Sequence, residues 1–204
     1  MNKDTSPPVI ALFDFDGTLT TRDSLLPFLR FSYGYFKLAQ ILFSAFPKIL
    51  KFLFHLTSRQ EAKEAILTAA FKGSFPSELA PKAEKFAQTD LKALLKPHAL
   101  ERLSWHQEQG HRCILVSASV SLYLDFWIKE YGPLELLSSR LALDTSGAYT
   151  GKLSGKNCWG PEKVSRIEQL VGPLKNYTIY AYGDSRGDQE MLAAANYPYY
   201  NRWV

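Results

Sequence analysis

The sequence predicts an α/β fold: a Rossmann-like core with a parallel sheet and helices on both faces, plus an inserted all-helical cap subdomain. Three observations predict it. Short apolar runs typical of buried strands alternate with helix-like stretches. Acidic motifs directly follow two of these runs, and in parallel sheets ligands bind at such strand ends. A helix-like interval of roughly seventy residues separates the first strand from the second, although a crossover needs only one helix.

Three apolar runs predict strands of the sheet, and they cover residues 9–15, 112–117 and 177–182. Two helix-like stretches precede the second and third strands, and they cover residues 97–109 and 162–171. Residues 141–153 alternate in polarity around Ser146-Gly147, which predicts a small hairpin.

The helical interval sets the expected domain boundaries. The core is expected at residues 1–22 and 97–204, and the cap at residues 23–96. Hinges between the two are expected near residues 20–23 and 96–97. Residues 24–96 contain eleven Lys or Arg and five Asp or Glu, whereas the whole chain has a net charge of only +4. So small a net charge does not predict a nucleic-acid partner.

The composition, 46% hydrophobic and 22% charged residues, is that of a soluble globular protein. Cys113 and Cys158 are too few for a disulfide framework, so a reducing cytosol, and hence a cytoplasmic location, is expected. The first residues, MNKDTSPPV, lack the apolar run of a secretory signal. No stretch reaches the roughly 18 apolar residues that a spanning helix needs.

The segment from Phe36 to Leu56 has a helical period of its own. Its polar residues recur every three or four positions and form one stripe: Lys37, Gln40, Ser44, Lys48, Lys51 and His55. Pro47 is expected to kink or split the helix. One interpretation is a helix buried among others in the cap, with its lysine heads reaching solvent. The other is a surface for peripheral contact with a membrane or with a lipid-like substrate.

The strongest chemical signal is the sequence DFDGT, in which Asp14 and Asp16 leave the first strand through a glycine-containing turn. Two carboxylates this close need a cation or a shared proton between them. That requirement favours a division of labour, with one aspartate as nucleophile and the other as proton carrier. An acidic turn that caps a helix is the alternative.

A second acidic cluster, GDSRGD, follows the last predicted strand. Asp184 and Asp188 are four residues apart, so they can face one point across the first turn of a helix. Carboxylate oxygens of this kind suit Mg²⁺. The alternative is a helix N-terminus that acidic residues stabilise through the helix dipole.

Together these segments resemble the haloacid dehalogenase (HAD) superfamily of phosphohydrolases, in the branch that includes phosphoserine phosphatase. The resemblance rests on four motifs in order: DFDGT, the Ser117 that follows an apolar strand, Lys163 in GPEKV, and GDSRGD. The helical insertion after the first motif is similar to the cap of this family.

The resemblance implies a role for each motif. Asp14 would attack phosphorus and form an aspartyl-phosphate, while Asp16 would protonate the leaving alcohol and later activate water. The implied cofactor is Mg²⁺, held by the Asp14 carboxylate, the Asp16 backbone carbonyl and Asp184, with support from Asp188. Phosphate would be bound by Ser117, the following backbone N–H of Ala118, and Lys163.

Three of these placements leave alternatives open. Ser119 competes with Ser117, but only Ser117 directly follows the apolar strand. Lys156 competes with Lys163, which falls in the first turn of a predicted helix, as in the family. Asp23, nine residues after the nucleophile, occupies a position where phosphoserine phosphatases carry a glutamate that meets the substrate, so it is a candidate specificity residue. It is equally a candidate N-cap of the first cap helix, with Ser24 as a rival.

The expected function is Mg²⁺-dependent hydrolysis of a small phosphorylated metabolite. Phosphoserine itself is doubtful, because Asp23 is one methylene shorter than the family's glutamate and motif two lacks its two glycines. The segment 36–56 favours another substrate class, the phosphatidylglycerophosphate type of lipid phosphate. A phosphotransferase or phosphomutase could use the same motifs, and a non-catalytic scaffold is the remaining alternative. The sequence predicts no oligomeric state.

Overall fold

The computed structural model describes residues 7–203, so the first six residues of the expected core lie outside the described part. Its strands are β1 (Val9–Phe13), β2 (Arg112–Val120), β3 (Leu134–Ser139), β4 (Leu141–Leu143), β5 (Tyr149–Leu153), β6 (Thr178–Gly183) and β7 (Tyr197–Tyr200). Five of them form one parallel sheet in the order β3-β2-β1-β6-β7. The predicted α/β fold with a Rossmann-like sheet is confirmed, although β3 and β7 had not been predicted.

Strand β1 shows why the sheet is buried on both faces. Ala11 and Phe13 belong to one apolar cluster, and Ile10 and Leu12 belong to another on the opposite face. Because successive side chains of a strand point to opposite faces, a strand without polar residues requires cover on both sides. Helices provide that cover.

The helices are α1 (Leu25–Leu53), α2 (Arg59–Phe71), α3 (Pro76–Gln88), α4 (Pro97–Glu108), α5 (Ser121–Trp127), α6 (Pro161–Val171) and α7 (Gln189–Ala193). The first three lie between β1 and β2 and form the inserted cap. Aromatic side chains pack within the cap and join it to the core: the ring of Phe28 lies 5.3 Å from that of Phe86 in cap helix α3 and 5.0 Å from that of Tyr123 in core helix α5. Each such pair adds about 0.5–1.5 kcal/mol beyond the burial of apolar area.

The predicted hairpin is confirmed as the antiparallel pair β4–β5, and it packs against cap helix α2. Gly151 of β5 has φ +78° and lies so close to α2 that a Cβ there would meet the Cα of Thr68 at 2.3 Å. The N–H of Tyr149 also donates to the carbonyl of Ser74, at 2.9 Å. The hairpin thus binds the cap through backbone contacts that only glycine allows.

The two connections between core and cap run side by side. Thr20 and Leu95 form an antiparallel bridge, and the N–H of Lys96 donates to the carbonyl of Leu19 at 2.8 Å. Hinge motion at this pair of connections stays a prediction.

Helix α1 differs from the sequence-based expectation in two respects. Pro47 lies inside it without a break, and the helix changes direction at Gly34, with φ 75° and ψ 174°. The change of direction falls at Gly34 because only glycine adopts that conformation without strain. Pro47 lacks the N–H that would bond to the carbonyl of Phe43, but both residues are exposed, so this carbonyl is open to water. Of the two interpretations of residues 36–56, burial among other cap helices is wrong for one side of the helix: Ile41 and Ala45 are buried, but Phe36, Phe43 and other apolar side chains of α1 face solvent.

No helix within residues 7–203 combines the length and the apolar character required to cross a membrane.

Candidate active site

The site lies where β1, β2 and β6 end, because the carboxyl ends of adjacent parallel strands share one edge of the sheet. Asp14 is the first residue after β1, and its N–H donates to the carbonyl of Tyr182 in β6, at 2.9 Å. Asp184 directly follows β6. Short turns after the strands therefore bring both predicted acidic motifs together.

A buried ionic cluster joins three of the four motifs. The Nζ of Lys163 lies 2.6 Å from Oδ1 of Asp14 and 2.6 Å from Oδ1 of Asp188, and it donates to the carbonyl of Val116, also at 2.6 Å. All three charged residues are at least 95% buried. Burial alone would lower the pKa of Lys163, but the two carboxylates outweigh it and raise that pKa above its usual range.

Asp14 experiences opposing influences. Burial is the largest and raises its pKa, Lys163 lowers it, and Asp188 raises it again, leaving the pKa at about 6. Its second oxygen, Oδ2, lies 3.1 Å from the hydroxyl of Thr18, which lies 3.2 Å from Oδ1 of Asp184 as well. The carboxylate is thus fixed by an ammonium on one side and a hydroxyl on the other.

Asp184 and the turn after β1 approach each other closely. Gly17 has φ +82°, and a Cβ on it would lie 2.1 Å from Oδ2 of Asp184. Glycine is therefore required at this position for two reasons, the backbone conformation and the space that the carboxylate fills. Asp184 is only half-buried, and its pKa is raised by burial and by Asp188.

Asp188 is hydrogen-bonded to the loop after β6 and to Lys163 through its two carboxylate oxygens. Its Oδ2 accepts hydrogen bonds from the N–H groups of Asp184 and Ser185, at 3.2 and 3.0 Å, and from the hydroxyl of Ser185, at 2.8 Å. Its Oδ1 is occupied by Lys163. Both oxygens have protein partners, so Asp188 orders the loop and the lysine.

The acidic residues fit a divalent cation. Asp14, Asp184 and Asp188 each offer one carboxylate oxygen, and these oxygens lie within 4.8 Å of one another. Three carboxylates face one ammonium, and this surplus of negative charge contributes to the raised pKa of Asp14 and Asp184. Hard oxygen ligands and an uncompensated negative charge are what Mg²⁺ requires.

Asp16 faces the cap. Its Oδ1 accepts from the N–H of Ser24, at 2.9 Å, and its Oδ2 accepts from the hydroxyl of Ser119. Burial is the main cause that raises its pKa to about 7, and the nearby charge of Asp23 contributes. The two aspartates of DFDGT thus have separate environments, one beside Lys163 and one beside the cap.

The two serines and the two lysines that compete for the second and third motifs lie in different environments. Ser117 is buried, and its hydroxyl oxygen accepts from the N–H of Ser119 at 3.0 Å, whereas Ser119 itself contacts Asp16. Lys163 lies in the ionic cluster, while Lys156 lines a separate cleft of about 480 Å³ at the edge of the cap. The phosphate-binding roles of Ser117, Ala118 and Lys163 stay predictions.

Asp23 has the geometry of a helix cap. Its Oδ1 accepts from the N–H of Leu25, at 2.9 Å, and from that of Leu26, at 3.4 Å. The carboxylate of Asp23 nonetheless lies near enough to Asp16 to raise the pKa of Asp16. The capping interpretation therefore has a structural basis, and a role in specificity stays a prediction.

Lys63 of α2 is a site residue that the sequence did not reveal. Its ammonium donates to the carbonyl of Ala118 and to Oδ1 of Asn157, the latter at 2.8 Å. Burial lowers its pKa to about 8, although Asp16 and Asp23 raise it. No local signal distinguishes this lysine, because the mixed charges around it are typical of a solvated helix face.

Comparisons with known proteins place this site in a family. The model of the haloacid dehalogenase-like hydrolases matches residues 11–193. Protein CicA of Caulobacter vibrioides is 33% identical over 195 residues, which cover 93% of this chain and 84% of that protein.

Solved structures share the fold. A protein of unknown function from Bordetella pertussis Tohama I has a TM-score of 0.80 at 25% identity, over 93% of this chain and 87% of the other. Phosphoserine phosphatase with a phospho-aspartyl intermediate analogue has a TM-score of 0.59 at 17% identity, over 93% and 84%. At so low an identity, the second likeness shows the fold alone.

Proposed function

We propose that this chain, which belongs to the haloacid dehalogenase-like hydrolase family and is a phosphatase of that type, hydrolyses phosphomonoesters with Mg²⁺ through a phosphorylated Asp14. The observation that carries this proposal is the arrangement around Asp14. One buried carboxylate touches the ammonium of Lys163 at 2.6 Å and lies beside the half-buried Asp184. The carboxylate is thereby positioned and kept available for attack.

The chemistry divides between the two aspartates of the first motif. A carboxylate oxygen of Asp14 attacks phosphorus, and the bond between phosphorus and the ester oxygen breaks. Asp16 donates its proton to the departing oxygen. It then takes a proton from the water that attacks the phosphorylated Asp14, so that inorganic phosphate leaves and both side chains return to their starting states.

The environment of Asp16 supports its role as acid and base. A pKa of about 7 leaves a substantial fraction of the carboxyl protonated at neutral pH, and the carboxylate left after donation can accept a proton from water. Hydrogen bonds from Ser24 and Ser119 orient it. Because Ser24 precedes α1, cap and proton carrier are directly linked.

The residues that would hold Mg²⁺ are Asp14, Asp184 and the backbone carbonyl of Asp16, with Asp188 ordering the loop that follows β6. Mg²⁺ bound there would neutralise the charge of the phosphate and would allow an anionic nucleophile to approach it. Lys163 supplies a further positive charge at Oδ1 of Asp14.

The decisive experiment combines trapping with metal depletion. After a brief reaction with ³²P-labelled phosphomonoester and acid quenching, the protein should carry a hydroxylamine-sensitive label, and Asp14→Asn should abolish both label and turnover. The control is Asp125→Asn, which changes a surface ion pair of the core domain and should retain both label and turnover. EDTA should stop turnover and Mg²⁺ should restore it, whereas Ca²⁺ should inhibit. Metal-independent hydrolysis, or a label that persists in Asp14→Asn, would contradict the mechanism.

Two substrate classes remain, and one observation favours the second. A small phosphorylated metabolite suits a site enclosed by a cap, whereas the exposed apolar side chains of α1 favour a lipid phosphate. A comparison of kcat/KM for phosphoserine, sugar phosphates and phosphatidylglycerophosphate decides between them.

Cys113 and Cys158 are free and buried, which supports a cytoplasmic location.

A further inference from the structure

Helix α1 presents an apolar surface to solvent. The side chains that form it are between 39% and 83% exposed, and they are Phe36, Phe43, Phe46, Leu50 and Leu53. Two series with a seven-residue spacing, 36-43-50 and 39-46-53, place these side chains on one side of the helix. Phe54 and Leu56, both at least 67% exposed, continue the surface beyond the helix. We call this set of seven side chains the α1 face.

The α1 face is distinct from the side by which the helix is anchored. Ile41 and Ala45 point into the protein and are at most 2% exposed. The helix therefore already buries one apolar side and leaves a second in water. Contiguous exposed apolar patches of this kind mark interaction surfaces, since monomeric soluble proteins rarely keep large ones.

A cationic edge borders the α1 face. Lys37, Lys48 and Lys51 lie on the polar stripe beside it, and α1 contains no Asp or Glu from Leu25 to Leu53. Of these lysines, Lys48 has an acidic neighbour on α2, Glu61, at 3.8 Å. An apolar side with a row of lysines along its margin is the pattern of a helix that lies in the plane of a membrane interface.

We propose that the α1 face binds the surface of an anionic phospholipid bilayer, with its aromatic and leucine side chains at the acyl boundary and its lysines on the phosphate groups. Charge complementarity favours this occupant over a second copy of the chain. A symmetric contact between two α1 faces would bring two cationic edges together, with no acidic residue of α1 to pair with them. Binding of this kind is peripheral and does not depend on the proposed catalytic mechanism.

Sedimentation with vesicles tests this surface. The full chain is mixed with vesicles of phosphatidylcholine alone, or with about equal parts of phosphatidylglycerol, at low and high salt. The wild-type chain should sediment with the anionic vesicles and less at high salt. The double variant Phe43→Ser/Phe46→Ser should reduce the bound fraction about tenfold, and Lys37→Glu/Lys51→Glu should do so on anionic vesicles.

Two controls separate binding from folding. Leu143→Ser removes a half-exposed apolar side chain of β4, outside α1, and should leave vesicle binding unchanged. All variants should retain the wild-type circular dichroism spectrum and wild-type turnover of a small soluble phosphomonoester. Light scattering of the free protein gives its mass in solution.

Three results would overturn the assignment. The wild-type chain could fail to sediment with anionic vesicles. The Phe43→Ser/Phe46→Ser variant could sediment with anionic vesicles as well as the wild-type chain does, which would locate the lipid contact elsewhere. The wild-type chain could also be a dimer that the same double substitution dissociates, in which case a second copy covers the α1 face.

Discussion

The core and the cap of this hydrolase depart from the usual distribution of side chains in opposite directions. At the end of β1 the core encloses an ammonium and two carboxylates, from Lys163, Asp14 and Asp188, that are almost wholly buried. In the cap, α1 leaves phenylalanines such as Phe36 and Phe43 about four-fifths exposed. Buried charge and exposed apolar surface both destabilise a fold unless something compensates. Each therefore indicates where a ligand supplies what the protein lacks.

The largest expected effect comes from removing the ammonium at the centre of the core cluster. Lys163→Met leaves Asp14 and Asp188 facing each other in a buried site, so the free energy of unfolding should fall by about 3–5 kcal/mol. Phosphatase turnover should fall at least about a thousandfold. Urea unfolding and steady-state kinetics measure the two effects, with the surface substitution Lys175→Met as control. A variant as stable as the wild-type chain would show that the cluster has no net role in stability.

The cap can be tested by two phenylalanines on the same helix. Phe28→Ala removes a fully buried ring and should lower the free energy of unfolding by about 3–5 kcal/mol. Phe43→Ala removes an exposed ring and should change it by less than about 0.5 kcal/mol. Urea unfolding in the absence of lipid measures both. Equal destabilisation would mean that the α1 face is covered in solution.

Lys63 connects the two regions, because it reaches from the cap to the carbonyl of Ala118 in the core. Lys63→Met should lower kcat/KM about tenfold to a hundredfold through poorer positioning of the cap over the site. Its pKa is lowered to about 8, so in the wild-type chain kcat/KM should fall as the pH rises through 8. The variant should lose the part of the descent near pH 8 and keep the part near pH 7 that ionisation of the general acid Asp16 causes, whereas Lys72→Met should keep both. A descent near pH 8 that persists in Lys63→Met would assign that part to another group.

An effect that is absent at neutral pH and develops only in acid concerns a neutral group buried in the core. His106 is fully buried and bonded to Tyr182, and burial, Arg102 and His111 together lower its pKa to about 3. In the unfolded chain it takes up a proton below about pH 6.5, so its contribution to stability is complete above that pH and is lost between 6.5 and 3.

Replacement of His106 isolates this contribution. Between pH 6 and 4 the free energy of unfolding of His106→Gln should fall less steeply than that of the wild-type chain, by about 1.4 kcal/mol per pH unit. Urea unfolding at several pH values measures the slopes, with His98→Gln, an exposed histidine, as control. Identical slopes for the wild-type chain and His106→Gln would show that His106 accepts a proton in the folded state.

Much of the fold could be predicted because its signals are local. Apolar runs without polar residues predict strands covered on both sides, and three such runs were enough to infer a parallel sheet with an inserted cap. Strand β7, with the sequence YPYY, gave no such signal, because it lies at the edge of the sheet and is largely exposed. The site could be predicted for the same local reason, since Asp14 and Asp184 directly follow strands and Asp188 lies four residues after Asp184.

By itself, the sequence identified the candidate site residues and predicted that they follow neighbouring strands at one edge of a sheet. Only the tertiary structure decided which neighbours each of these residues contacts. It places Asp16 against Ser24 and Asp14 against Lys163, brings Lys63 into the site from the cap, and turns the α1 face outward. The physical reason is that periodicity fixes the angle of a side chain around its own helix or strand. Which neighbour that side chain meets depends on packing between elements distant in the chain.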